Sequence, residues 1–315
     1  MRAAAPTTVG QLIRHGERRF KRARLAYGHG LPSARDEAAY LTLHALRLPL
    51  VQWPTARRVS AIDAARVLAL HERRIRERLP AAYLTREAWL GQQRFYVDER
   101  VLVPRSYIAE YLCDATVPYL PRTRQVRYAL DLCTGSACLA VLLAKRYTGA
   151  LVDAADLSPE ALDVAAINVR RHRLTRRVRL VKSNYFSALR GLCYDLIISN
   201  PPYVRGAVMR ALPREYRREP ALALAAGRDG LDAVRVILAQ AARHLNPGGV
   251  LVVECGHARE LVERAWPRVP FIWLETSGGD DCVFLLTRDE LTSHGLGRAQ
   301  GVRRSRVLSR GRLRG

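Results

Sequence analysis

The chain has 315 residues, 49% of them hydrophobic, and carries 52 Lys+Arg against 29 Asp+Glu for a formal net charge of +23. That is enough apolar material for one large domain or two unequal ones, which excludes a globally disordered protein. The longest uncharged apolar run, residues 132–144, falls short of the ~20 residues of a membrane-spanning helix, so no membrane partner is expected.

Residues 1–80 read as a helical domain, expected to select the substrate: 36–46 and 62–79 place Ala, Leu and Ile three and four apart, punctuated by Pro32, Pro49 and Pro54. Residues 81–110 read as a linker, with β-rich runs at 82–90 and 94–103 around a Gly91-Gln92-Gln93 hairpin turn. From 111 to 291 strands and helices alternate. Strands are expected at 126–132, 151–155, 178–181, 195–199, 250–254, 271–274 and 283–286. Helices are expected at 138–147, after the cap Ser158-Pro159-Glu160, and at 231–245 before the stop Asn246-Pro247-Gly248-Gly249. Such alternation predicts an α/β fold with a seven-strand, doubly wound, Rossmann-like sheet. Residues 292–315 hold seven arginines, five glycines and no acid, which predicts a disordered Arg-rich tail.

Only Lys21, Lys145 and Lys182 are lysines; every other basic residue is arginine. A phosphate-binding face draws on both residue types, so the bias reads as a compositional habit. The charge therefore predicts non-specific rRNA contact through the surface and tail, and does not make nucleic acid the substrate. Cys113, Cys133, Cys138, Cys193, Cys255 and Cys282 form no CxxC pair and no zinc-ligand spacing. With no apolar secretory signal at the N-terminus, they predict reduced thiols in a cytoplasmic protein without a metal.

Three features carry chemistry. Asp131-Leu132-Cys133-Thr134-Gly135-Ser136-Ala137 ends the first strand of the alternating region in a small-residue turn, where backbone N–H groups can approach a nucleotide-like ligand. Asp156 ends the second strand, where a carboxylate can accept both hydroxyls of a ribose. No lysine follows the turn and the glycine pattern is poor for a pyrophosphate, so S-adenosylmethionine fits better than a nucleotide phosphate. Third, Asn200-Pro201-Pro202-Tyr203 follows the fourth strand. The Asn200 side-chain oxygen and the Pro201 carbonyl can each accept one N–H of a planar –NH₂ group, with Tyr203 offering a flat surface to its π-system.

In this order the three motifs resemble the S-adenosylmethionine-dependent methyltransferases that modify planar nitrogens. Tyr27-Gly-His-Gly30, Ala82-Tyr-Leu-Thr85, residues 95–105, Glu215-Tyr-Arg-Arg-Glu-Pro220 and Gly230-Leu-Asp232 are similar to the bacterial protein-glutamine methyltransferases. The similarity is closest to the branch acting on large-subunit ribosomal protein L-three; a sister branch acts on peptide-chain release factors. The resemblance implies that Asp131 and Cys133, Thr134, Gly135, Ser136 and Ala137 hold the methionine end of the cofactor. It further implies Asp156 on the ribose, Asn184 and Tyr185 beside the adenine, and Asn200–Tyr203 on the substrate glutamine, with Asn200 also on the cofactor side. Ala137 stands where a third glycine is usual, Asn184 where an acid is common and Tyr107 where a proline is common. Release factors, and an exocyclic base nitrogen of rRNA or DNA, remain alternative substrates at this level. Glu254 is expected to be structural; His29, His257 and Glu219 could line a substrate groove, but solvated or hydrogen-bonded roles are expected for each.

Overall fold

The computed structural model describes residues 7–113 and 126–296. Three amphipathic helices open it: α1 (Val9–Arg22), α2 (Ala34–Ala45) and α3 (Ala61–Glu77). Each begins at a hydroxyl cap, Thr8, Ser33 or Ser60, whose side chain accepts the backbone N–H three residues on. Their buried faces meet through Val9, Leu12, Ile13 and Phe20 of α1, Leu41 and Leu43 of α2, and Val67 of α3.

The linker differs from its expected form. Ala81–Thr85 is a short helix, α4, and the hairpin strands β1 (Ala88–Leu90) and β2 (Gln93–Phe95) are only three residues each. Beyond Phe95 the chain forms no ladder and turns at Asp98–Val101. Its β-branched residues Val97, Val101 and Val103 are buried against Val164 of the second domain instead. Burial met the demand that pairing was expected to meet.

A helix, α5 (Ile108–Cys113), leads into the large domain. There follow β3 (Tyr128–Leu132), α6 (Cys138–Arg146), β4 (Leu151–Asp156), α7 (Pro159–Arg171), β5 (Val178–Lys182), β6 (Tyr194–Ser199), α8 (Gly206–Ala211), α9 (Asp232–Gln240), β7 (Leu245–Glu254), α10 (Arg259–Ala265), β8 (Ile272–Thr276), β9 (Gly279–Thr287) and α11 (Arg288–Ser293). The seven strands run in the order β5-β4-β3-β6-β7-β9-β8, parallel except for β9, which is antiparallel to both neighbours. Strand order reverses between β3 and β6, and ligands of open α/β sheets bind at that switch point, beyond the strands' carboxyl ends. Residues 129–132 of β3 are at most 1% exposed, because helices cover both sheet faces.

Two boundaries move. Helix α9 stops at Gln240, and β7 starts at Leu245, so Asn246-Pro247-Gly248-Gly249 lies inside a strand. The pairing of β6 with β7 shifts register between Tyr194 and Leu196, which accommodates a proline with no N–H to give. At the C-terminus, α11 continues through Ser293 and Leu296 still packs on the core, so the fold outlasts residue 291. The rest of the expected tail, 297–315, lies outside the described residues. Among the described residues no helix is long and apolar enough to cross a membrane.

Candidate active site

The carboxyl ends of β3, β4 and β6 open into one cleft. The turn after β3 supplies Cys133, Thr134, Gly135 and Ser136 to its lining, the end of β4 supplies Asp156, and Asn184, Tyr185, Asn200 and Pro202 complete that side. Nine of the residues expected at the site are thus brought together, from four separate stretches of chain.

The turn is tightly wound. Cys133, Gly135 and Ala137 have φ of +64°, +54° and +61°, and Ala137 is the left-handed cap of α6. Asp131 and Ala137 are fully buried and brace the turn from behind rather than lining the cleft. One oxygen of Asp131 accepts the Thr134 hydroxyl and the Ala140 N–H, while its Oδ1 is buried without a hydrogen-bond partner. Burial pushes this carboxyl up to about 7. Asp156 ties the turn to β4: its Oδ2 accepts the Gly135 N–H at 2.8 Å and its Oδ1 the Ser158 N–H at 2.9 Å. Burial raises its pKa too, against the pull of those backbone bonds. Each Asp156 oxygen keeps a second lone pair for a ribose hydroxyl.

Ser199, the last residue of β6, donates its hydroxyl to the Leu132 carbonyl at 2.7 Å. That bond locks the two strand ends together and sends Asn200 into the cleft. Pro201 is buried, and Tyr203 does not line the cleft: its ring lies against Gly256. A Cβ on Gly256 would sit 3.0 Å from that ring, and its φ of +60° also favours glycine. The aromatic surface expected for the substrate is therefore turned toward β7 here.

The opposite side was not legible as a site. Arg105 and Ser106 line the cleft together with Pro220, Leu222 and Ala223. The Arg105 guanidinium forms a fork with Glu219, at 2.6 Å to Oε1 and 2.7 Å to Oε2, and Glu219 Oε1 also accepts the Val103 N–H at 3.0 Å. Burial works against the Glu219 charge, but His29 and Arg105 outweigh it and hold the carboxyl down at about 2. Glu254 accepts the Ser106 hydroxyl at 2.6 Å and the Tyr107 N–H at 2.9 Å, and burial raises it to about 7. A proline at position 107 could not make the second bond, so the tyrosine adds an anchor there. His257 pairs with Asp281 on the exposed edge, outside the cleft.

Asn168, buried in α7, was also missed. Its amide accepts the Tyr96 N–H at 2.7 Å and donates to the Tyr96 and Ser136 carbonyls, both at 2.9 Å. The only sequence signal was an amide on the apolar face of that helix, between Ala165 and Val169. All six cysteines are free thiols, and burial raises the pKa of Cys133 and Cys138 at the cleft, which disfavours their thiolate forms.

Residues 114–214 match the methyltransferase small domain family. A ribosomal protein uL3 glutamine methyltransferase of Neisseria meningitidis serogroup B is 52% identical over 287 residues, covering 90% of this chain and 94% of that protein. Its counterpart in Bordetella pertussis is 51% identical over 289 residues, covering 91% and 97%. Among solved structures, a methyltransferase from Pyrococcus furiosus matches with a TM-score of 0.44 and 23% identity, over 62% of this chain and 88% of that one.

Proposed function

The chain belongs to the family of ribosomal protein uL3 glutamine methyltransferases, and from that premise we propose that it methylates the side-chain amide nitrogen of a glutamine in uL3 in the cytoplasm. The observation that carries this reading is the opening of Asn200 into the same cleft as Asp156 and the Cys133–Ser136 turn. The methyl donor is S-adenosylmethionine, which supplies an activated sulfonium methyl when bound. The tight Cys133–Ser136 turn suits its charged methionine end, and the Asp156 oxygens suit its ribose. Asn184 and Tyr185 would flank the adenine.

An amide nitrogen is a poor nucleophile because its lone pair is delocalised into the carbonyl. The Asn200 oxygen and the Pro201 carbonyl accept the two amide hydrogens and fix the nitrogen's direction. Those bonds strengthen as positive charge grows on nitrogen, so they favour the transition state over the ground state. Orientation within the cleft supplies much of the rest. Arg105, paired with Glu219, and Ser106, pinned by Glu254, build the wall that holds the reacting groups.

The test supplies labelled S-adenosylmethionine with unassembled uL3, release factor, rRNA and DNA in separate reactions, followed by mapping of the label. A uL3 glutamine carries it on this reading, whereas label on a base overturns it. Asn200→Ala lowers kcat by about 10²–10³ with cofactor affinity little changed, the size expected for removing one transition-state hydrogen-bond partner.

A further inference from the structure

A second cavity lies between the N-terminal helices and the β1–β2 hairpin, and the methyl-transfer chemistry makes no use of it. Tyr40 and Leu43 of α2 line it together with Trp53 and Trp89, and Asp36 and Glu87 bring carboxylates to it. Pro104 lines both this groove and the catalytic cleft, so the two cavities share a wall. Trp89 is 44% exposed, a large apolar surface left at the junction of two domains.

The charge of the groove's lining runs against the rest of the molecule, with Arg35 over the Trp53 ring at 5.8 Å and Arg94 beside Glu87 at its border. In a chain with a formal charge of +23, the lining of this groove holds two carboxylates and, among the described residues, no lysine or arginine. Glu87 is engaged by the Trp89 indole N–H at 3.0 Å and by Arg94 at 3.3 Å. Asp36 accepts only the Ser33 hydroxyl, at 2.6 Å, and has no ion-pair partner among the described residues. An acid-lined groove repels phosphate polymers and attracts cations. Aromatic walls beside a carboxylate suit a Lys or Arg stem with its charge on the acid, or an apolar side chain next to a basic one.

We infer that this groove binds a basic, partly apolar segment of the substrate polypeptide lying beside the glutamine held at Asn200. The inference rests on the methyltransferase reading and deepens it. A protein built to sit on rRNA presents such segments, since phosphate neutralisation requires Lys and Arg. The shared Pro104 wall lets one continuous chain occupy both cavities. Glutamine chemistry then occurs in the cleft, and substrate choice occurs in the groove.

The experiment compares wild type, Trp89→Ala and Asp36→Asn, using intact uL3 in two assays: methyl-transfer kinetics and direct binding without cofactor. Circular dichroism melts establish that each variant is folded; Asp36→Asn retains an acceptor for Ser33. Trp89→Ala is expected to raise KM and weaken uL3 binding by about tenfold, the usual size for truncating an interfacial tryptophan, with kcat at saturation within twofold. Asp36→Asn is expected to flatten the salt dependence of KM. Unchanged KM and binding in both folded variants overturn the groove while leaving the methylation reading intact. Wild-type uL3 binding that Trp89→Ala weakens, without any methyl transfer, upholds the groove and overturns the methylation reading. Absence of both binding and transfer overturns both.

Discussion

Asp156 is asked to do two things with one carboxylate. It already accepts the Gly135 and Ser158 N–H groups, and a bound ribose adds two further donors. Asp156→Ala removes two charge-assisted hydrogen bonds that net about 1.5–3 kcal/mol each, so S-adenosylmethionine should bind about 10²- to 10⁴-fold more weakly, measured by calorimetric titration. Unchanged affinity would show that the ribose lies elsewhere. Because burial raises the Asp156 pKa, its acceptor role is lost as pH falls through that raised value. Cofactor affinity should therefore weaken on acidification earlier than an ordinary aspartate allows, and Asp156→Asn should flatten that profile. Ala137 poses the opposite question, of why a residue with a Cβ is tolerated at φ +61°. Left-handed strain costs an alanine roughly 1–2 kcal/mol. Burying its methyl returns about 0.8 kcal/mol, and the smaller unfolded-state entropy of alanine returns about 0.4–1 kcal/mol. The balance lies near zero, so this departure from glycine leaves the turn intact.

At the scale of elements, α7 links the cofactor turn to the linker through Asn168. Replacing it with leucine leaves the Tyr96 N–H and two carbonyls buried without partners, at roughly 1–3 kcal/mol each before relaxation. Asn168→Leu is expected to destabilise the fold by about 3 kcal/mol, seen as a lowered urea midpoint, and to weaken cofactor binding as the Ser136 turn loosens. A neutral effect on both would mean that β3 and α6 hold the turn by themselves. This residue also marks where sequence reading stops. Strands β3 to β6 were legible because two covered faces write continuous apolar runs such as Ala129-Leu130 and Leu196-Ile197-Ile198. The Cys133–Ser136 turn, Asp156 and Asn200 were legible because each follows such a run directly. Asn168 meets Tyr96 across 72 residues and Glu219 meets Val103 across 116. No local periodicity encodes a partner that distant. The linker was misread for the same reason, since Val97, Val101 and Val103 look like strand residues until α7 is there to bury them.

On the scale of the whole molecule, two acids hold the parts of the catalytic wall together. Glu215 lies between Arg74 of α3, at 3.6 Å, and Arg78, at 3.1 Å, which ties the segment after Asn200–Tyr203 to the helical domain. Glu219, fully buried, joins Arg105 of the cleft to His29, whose ring lies tilted against that of Tyr216 with centroids 4.3 Å apart. Gly28 admits this contact, since with φ +120° a Cβ there would lie 2.3 Å from the Tyr216 hydroxyl. Deleting this buried anion leaves the Arg105 guanidinium without its carboxylate partner. Breaking a buried pair from one side costs about 3–5 kcal/mol, so Glu219→Gln should destabilise strongly at neutral pH and lower activity by releasing the Arg105 wall. The pH dependence has a definite sign. The Glu219 carboxyl titrates near 2 when folded against an ordinary value of 4.5, so its contribution is fully present above 4.5 and is lost as pH falls from 4.5 toward 2. Urea melts at pH 7 and pH 3 should therefore show the gap between wild type and Glu219→Gln narrowing in acid. A gap that stays constant would place the stabilisation in packing of the glutamate stem rather than in its charge.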